Sequence, residues 1–469
     1  MTEPRRSRAG RHSIVIAAIA LLVSACTVGP DYKRPEVELP ESLGIAGPAP
    51  AAPEKWWALF NDPVLDRQVA EALEHNRDLR AAAERIEQAR AQVSIARGAQ
   101  LPSVGVVGSR SRDRSSQLGA FPLPPEAIET NTHRLVVQAS WEIDFWGKYR
   151  RATEAARAEL LASEAGRDAV RAAVVSEVIR DYVALRANDA RLAELVRNLD
   201  TRTQSLDLQR RRFEGGAISE VELRQEESDL RAVEAAIPVF RQQGVRLEGA
   251  LAVLLGRSPR AVFAAAIERG TPSMPATREV PAGLPSDLLL RRPDLRQAEA
   301  LLHAANARIG VARAAYFPSI SLTGFYGGQS QSLDDLFSGP ARTWSLAAGL
   351  VQPLFAGGQI RGAEQFAEAR TREAVEGYQK AIAVAFGEVR DAIASQSNAR
   401  DALLAQRARV AALERTYELE RLRYDAGAVS LFEVLVIERG LITARLDAID
   451  AERDRLTAIV DLYLALGAI

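Results

Sequence analysis

Arg212-Phe213-Glu214-Gly215-Gly216-Ala217-Ile218-Ser219 and Arg423-Tyr424-Asp425-Ala426-Gly427-Ala428-Val429-Ser430 are one turn written twice. Around them Gly147–Gly256 aligns without a gap onto Gly358–Gly467, closing on Leu255-Gly256 and Leu466-Gly467. Upstream, Asp78–Ser103 matches Asp294–Ser319, also ungapped, at an offset of 216 positions instead of 211. A helix-strand-strand-helix-helix unit has been duplicated, and only the piece between its two strands changed length. A repeat of this length is a symmetry device and not a catalytic motif.

Working outward from the turns, Lys148–Phe213 and Gln359–Tyr424 each run without proline. Apolar residues recur with heptad-like spacing at Val174, Val175, Val178, Ile179, Tyr182 and Leu185. As one continuous helix each run would be ~100 Å long at 1.5 Å per residue. No globular domain accommodates that, and charges along the runs exclude a transmembrane helix. Gly166 in the first run falls on Gly377 in the second. After the glycine turns a second helix returns, giving two very long helical hairpins. The first return helix contains Pro238 and then Gly244, which predicts a kink or break absent from the second copy.

Between the first helix of each copy and its hairpin the period changes to two. Leu135, Val137, Ala139, Trp141, Ile143 and Phe145 alternate with Arg134, Gln138, Ser140, Glu142 and Asp144. In the second copy Ile320, Leu322 and Tyr326 alternate with Ser319, Ser321 and Thr323, and Trp344, Leu346 and Leu350 continue the pattern. Strands of about ten residues with one apolar and one polar face mark a membrane barrel; a half-buried soluble sheet is the other reading. Four strands cannot close a barrel, and an open sheet edge cannot sit in lipid. In a membrane, several chains must therefore share one barrel. The polar stretches Arg112–Thr132 and Gln329–Arg342 read as the loops between strands, and their unequal length belongs on an outer surface.

Net charge is −1 over 469 residues, which excludes an electrostatic case for nucleic acid. The N-terminus carries an address: Arg5, Arg6, Arg8 and Arg11 precede the apolar stretch Ile14–Val23, which is of secretory-signal length and too short to span a bilayer. It ends Leu22-Val23-Ser24-Ala25-Cys26, which looks like a bacterial lipobox, with Cys26 lipidated as the mature N-terminus; an ordinary signal peptide followed by a free thiol is the alternative. The single cysteine excludes internal disulfides. Thr27 follows Cys26 where an inner-membrane retention signal would have Asp, which favours the outer membrane. Pro30–Pro53, rich in Pro and Ala, reads as an extended tether, and Trp56, Trp57 and Phe60 as a small core plug.

Cys26-Thr27-Val28-Gly29-Pro30-Asp31-Tyr32-Lys33-Arg34-Pro35, Trp56-Trp57-Ala58-Leu59-Phe60-Asn61-Asp62-Pro63 and the long segment Val280–Glu299, with Leu288-Leu289-Leu290-Arg291-Arg292-Pro293-Asp294 at its centre, carry a family resemblance. The chain resembles the TolC-like outer membrane factors, in the lipoprotein (NodT/OprM-like) branch serving resistance-nodulation-division (RND) pumps. The resemblance implies a mainly α protein with a small transmembrane β part. It implies a homotrimer whose twelve-stranded outer membrane β-barrel continues into a long periplasmic α-helical barrel. It also implies a passive exit duct for small molecules, handed over by an inner-membrane RND transporter through a periplasmic membrane-fusion adaptor; the export channel of a type I protein secretion system is the alternative. The divisions are then a signal peptide 1–25, a lipidated tether 26–55 and a first repeat 56–256 with strands about 101–146 and hairpin about 148–256. A linker 257–291 leads to a second repeat 292–469, with strands about 317–356 and hairpin about 359–467.

No catalytic constellation is present: His12, His75, His133 and His303 are scattered, without HExxH, CxxC or a phosphate-cradling glycine loop, so neither an enzyme nor a cofactor is expected beyond the lipid on Cys26. In the family the periplasmic turns close the tube and meet the adaptor, which makes Gly215, Gly216 and Gly427 the adaptor-contacting candidates. Toxin-exporting relatives hold this tip shut with a Tyr, an Arg and two acids in the second-copy turn. Here Tyr424 and Glu433 match the Tyr and the first acid, whereas Val429 and Val436 stand at the Arg and second acid. The gate candidates are therefore Tyr424, a ring of Glu433, and Val429 or Leu431 packing around the axis; the alternative is that Tyr424 and Glu433 are ordinary surface residues beside a turn. Glu142 and Asp144, on the polar side of a strand end, either face the lumen or pair with Arg150 or Arg151.

Overall fold

The computed structural model of the chain describes residues 27–38, 55–118, 124–264, 267–270 and 292–468. The signal segment, Cys26, residues 39–54 of the tether and most of the linker lie outside the described residues. The duplication is carried into the elements almost residue for residue. Helices α2 (Arg77–Gly98) and α6 (Pro293–Ala314) have 22 residues each, and strands β1 (Ser103–Arg114) and β3 (Ser319–Ser330) have 12. The long helices α3 (Lys148–Glu214) and α7 (Gln359–Asp425) have 67, and the return helices α4 (Glu220–Leu254) and α8 (Leu431–Ala465) have 35. Strands β2 (Glu129–Ile143) and β4 (Arg342–Val351), the short helices α1 (Pro63–His75) and α5 (Pro259–Ala264), and a 3-10 turn at Trp56–Phe60 stand beside them. Among the described residues no helix is long and apolar enough to cross a membrane.

The chain divides into two compact units that cut across the repeat. One takes the described residues of Met1–Glu36, Ile86–Ser163 and Ala298–Tyr378; the other takes Val37–Arg85, Glu164–Gln297 and Gln379–Ile469.

The first unit holds an antiparallel sheet in the order β1-β2-β3-β4. Residues paired across a ladder share a face, so the register sorts the side chains without ambiguity. Val106, Val137, Tyr326 and Trp344 form one row, and Val104, Ala139, Gly324 and Leu346 the row beside it. This apolar face is open in the chain, with Trp344 70% and Leu346 79% exposed. The other face carries Ser103, Ser140, Thr323, Gln138 and Arg134. Pairing extends to Arg114↔Glu129 and Gly328↔Arg342, so the loops are shorter than the polar composition of 112–132 suggests. Glu129 holds the strand ends together by pairing with Arg112 at 2.7 Å and Arg114 at 3.0 Å.

Below the sheet α3 and α6 meet through alanines, Ala155 and Ala158 against Ala304 and Ala307, which lets the backbones approach closely. The segment from Val28 to Arg34 is strapped over this junction. Val28 N donates to the Trp146 carbonyl at 3.1 Å, Asp31 pairs with the buried Arg151 at 2.7 Å, and Arg34 grips Glu299 with two bonds of 2.6 Å. Tyr32 stacks on His303 at 4.6 Å. Gly29, at φ +106°, lies so near Gly310 that a Cβ would sit 2.5 Å from its Cα, so neither position tolerates a side chain.

The second unit contains an extended apolar core. Trp56, Trp57 and Phe60 plug it, as their clustering predicts, with Leu65, Val178, Ile179, Leu251 and Ile459 around them. Trp56 stacks on Tyr463 at 4.7 Å; each such fully buried large side chain contributes about 1.5–3 kcal/mol. Asp62 caps α1 by accepting from Val64 N and Leu65 N, and its other oxygen accepts from the buried Tyr182 hydroxyl at 2.7 Å. Burial, reinforced by Asp62, pushes the Tyr182 phenol up to about 12. Of the kink or break expected at Pro238, the break does not occur: α4 runs through the proline as one helix. Gly244 serves packing instead: a Cβ would lie 3.1 Å from Asn188 Nδ2, which donates to the Phe240 carbonyl.

Candidate functional site at the helical turns, the buried charges and the strand ends

Both long helices end in the same left-handed glycine cap, the physical reason glycine recurs there. Gly216 has φ +70° and Gly427 φ +72°. Gly216 N donates to Phe213 O and Ala217 N to Arg212 O; Gly427 N donates to Tyr424 O and Ala428 N to Arg423 O, at matching distances of 2.9 and 2.8 Å. This closure satisfies the carbonyls that a helix end leaves orphaned. Gly215, in contrast, has no positive φ.

The two turns are joined to each other. Arg212 Nη1 donates to the Tyr424 hydroxyl at 2.7 Å, with its guanidinium carbon 5.6 Å from the ring centre. Tyr424 therefore does find an arginine, but from the first copy's turn, not from the second-copy position that Val429 occupies. The repeat alignment hides this, because the equivalent Arg423 pairs with Glu420 at 2.8 Å.

Glu433 occupies the third position of α8, and its Oε1 accepts from Ser430 N at 3.5 Å and Ser430 Oγ at 3.3 Å. Glu222 does the same for Ser219 at 2.8 and 2.9 Å. Glu433 is thus one half of a capping arrangement present in both copies, which explains the residue type without a gate. Leu431 is 2% exposed within the chain, so it is spent on packing; Val429 is half-buried, and Phe432 and Val436 are exposed.

Above the turns the hairpins are linked by charge pairs, half-buried at Arg191 and enclosed at Arg202, which the sequence reading missed. Arg180, Arg191 and Arg202, eleven residues apart on α3, pair with Asp461, Asp450 and Glu438 on α8. An eleven-residue spacing is three helical turns, so one side of a nearly straight helix faces its partner throughout. Arg202 is the most enclosed, with its side chain 2% exposed, 3.3 Å from Asp229 and 3.6 Å from Glu438. Beside them Glu226 is 1% exposed, and neither of its carboxylate oxygens has a hydrogen-bond partner among the described residues. Burial pushes the Glu438 carboxyl up despite Arg202, and raises the neighbouring Tyr417 phenol.

At the strand ends, Asp144 accepts from Tyr149 N at 3.1 Å and Arg150 N at 2.8 Å, capping α3, and lies 3.4 Å from Arg150 Nε. Glu142 accepts from the Tyr149 hydroxyl at 2.9 Å and pairs with Lys148 at 3.1 Å. Both carboxylates are engaged in starting α3, and neither meets Arg151. Among the described residues no group of three His, Cys, Asp or Glu side chains is placed to hold a metal ion.

The outer membrane efflux protein family matches residues 69–257 and 284–468, one stretch for each copy. The probable efflux pump outer membrane protein TtgC of Pseudomonas putida is 34% identical over 465 residues, covering 96% of this chain and 94% of its own. The cation efflux system protein CusC of Escherichia coli is 32% identical over 455 residues, covering 96% and 97%. Among solved structures, the CmeC outer membrane channel of Campylobacter jejuni superimposes with a TM-score of 0.89 at 27% identity, covering 94% and 95%. Duplicated hairpins, an apolar-faced sheet and similarity over nearly the whole length agree: the chain belongs to the outer membrane efflux protein family and is an outer membrane component of an efflux system.

Proposed function

We propose that three copies of the chain close one β-barrel in the outer membrane and form a passive exit duct, fed by an inner-membrane RND transporter through a periplasmic adaptor. The observation that carries this is the sheet itself. Among the described residues strands β1 and β4 each have one unpaired edge, while an apolar face crosses all four strands. Unpaired backbone cannot face lipid, so copies must pair edge to edge. Two copies would make eight strands, a barrel that side chains fill; three make twelve and leave a water-filled lumen. The lipid on Cys26 anchors the chain beside the sheet, since Thr27 packs against Gly147 just beyond β2. The turns at 215–219 and 426–430 are the surface offered to the adaptor, and Val429 with Glu433 lines the constriction. Relatives are named for antibiotic, toluene and cation efflux alike, which supports a duct that selects weakly.

The full chain reconstituted in planar bilayers tests the proposal: trimers by cross-linking, with a conductance that survives removal of any energy source, are expected. A protein that stays monomeric in outer membranes and opens no pore would overturn it.

A further inference from the structure

We propose that the outward face of the sheet, just above its aromatic row, binds phosphate groups of the outer-leaflet glycolipid through Arg342 and Arg110. The inference rests on the membrane-barrel reading and adds a lipid-recognition surface to it. The register is the basis. The outward row Val106–Val137–Tyr326–Trp344 ends in two aromatics, the residues that sit at a membrane–water interface. The next row on the same face is Gly108–Leu135–Gly328–Arg342, then Arg110–His133–Ser330, then Arg112–Asn131, then Arg114–Glu129. The face that is apolar below the aromatics turns basic directly above them.

Spacing separates these arginines. Rows on one face are about 6.6 Å apart along a strand, or ~5 Å in height at a typical barrel tilt. Arg342 and Arg110 therefore stand ~5 and ~10 Å above the aromatic row, within reach of the headgroup layer, which is about 5–8 Å thick. Arg112 and Arg114 stand higher and are engaged by Glu129. Arg110 and Arg342 are exposed, and among the described residues no ion pair or hydrogen bond engages either guanidinium. Asp113 lies on the opposite face, where it accepts from Ser111 Oγ. An unpaired guanidinium held on a rigid strand at phosphate depth matches the planar, two-oxygen recognition that arginine favours. Solvated arginines with no lipid role would show no preference for phosphate.

The test uses the full chain, purified in detergent, with bis-phosphorylated lipid A, enzymatically dephosphorylated lipid A and inorganic phosphate as probes. The phosphorylated lipid is expected to raise the heat-dissociation temperature and to bind at least fivefold tighter than the dephosphorylated lipid. Binding should weaken at high salt, and inorganic phosphate should have no effect. The Arg110→Gln/Arg342→Gln double variant should lose that preference, and Arg110→Lys/Arg342→Lys, which keeps the charge without the planar fork, should keep only part of it. Equal binding of both lipids to the unaltered chain, or an unchanged preference in the Gln variant, overturns the proposal. Absence of the unaltered chain from outer-membrane fractions would instead overturn the barrel reading beneath it.

Discussion

Arg212 Nη1 and the Tyr424 hydroxyl lie 2.7 Å apart, so the turns of the two copies are fastened together inside a single chain. In a duct of this kind a bond between turns opposes their separation. Tyr424→Phe and Arg212→Ala are each expected to raise single-channel conductance and to sensitise cells to a large antibiotic that normally cannot enter. The double variant should do little more than either single one, because both remove one bond. Additive effects would show that the two residues act separately.

Glu433 and Glu222 offer an internal control. Both complete a helix cap, so Glu433→Ala and Glu222→Ala should each cost about 0.3–1.5 kcal/mol, read as lowered thermal stability. Only Glu433→Ala should also reduce cation preference, measured as a reversal potential in asymmetric salt. If selectivity is equal in the two variants, Glu433 is a cap and nothing more.

Arg202 is enclosed among Asp229, Glu438 and Glu226. Removing it strips Glu438 of its ion-pair partner and leaves Asp229 only Arg439, at 3.5 Å, so Arg202→Ala should cost about 3–5 kcal/mol. Adding Glu226→Gln, which deletes a carboxylate with no hydrogen-bond partner, should restore part of the loss. Thermal unfolding of the three variants checks this, and a double variant no more stable than Arg202→Ala would refute the account.

Asp181 on α3 has its carboxyl pushed up from 3.8 to about 6, chiefly by burial and then by Glu177. A carboxyl raised on folding penalises the folded state once ionised. The penalty is complete above pH 6 and is relieved as pH falls toward 4. Asp181→Asn should therefore stabilise the protein at pH 7.5 by on the order of 1 kcal/mol, after discounting for solvent screening. The advantage should vanish near pH 4. Melting curves at the two pH values decide it.

Much of this architecture could be read from the chain alone, because its signals are local and said twice. Helix lengths follow from where glycine permits a left-handed cap, at Gly216 and Gly427, and the sheet from alternation along Leu135–Ile143. Register, and with it which arginines stand above Trp344, needed the paired strands. The same holds for Pro238, whose helix-breaking tendency is outweighed once α4 is packed along its length against a neighbour. For Glu142 and Asp144 the sequence offered either the lumen or pairing with Arg150 or Arg151; Asp144 does meet Arg150, whereas Glu142 meets Lys148 and Tyr149 across a chain reversal.

What the sequence by itself determined is the duplicated unit, because periodicity and glycine placement act over a few residues. What only the tertiary structure decided is which charges meet. Arg212 and Tyr424 are 212 positions apart and Arg180 and Asp461 are 281 apart. Such pairs are set by how two antiparallel hairpins lie against each other, and no local pattern encodes that.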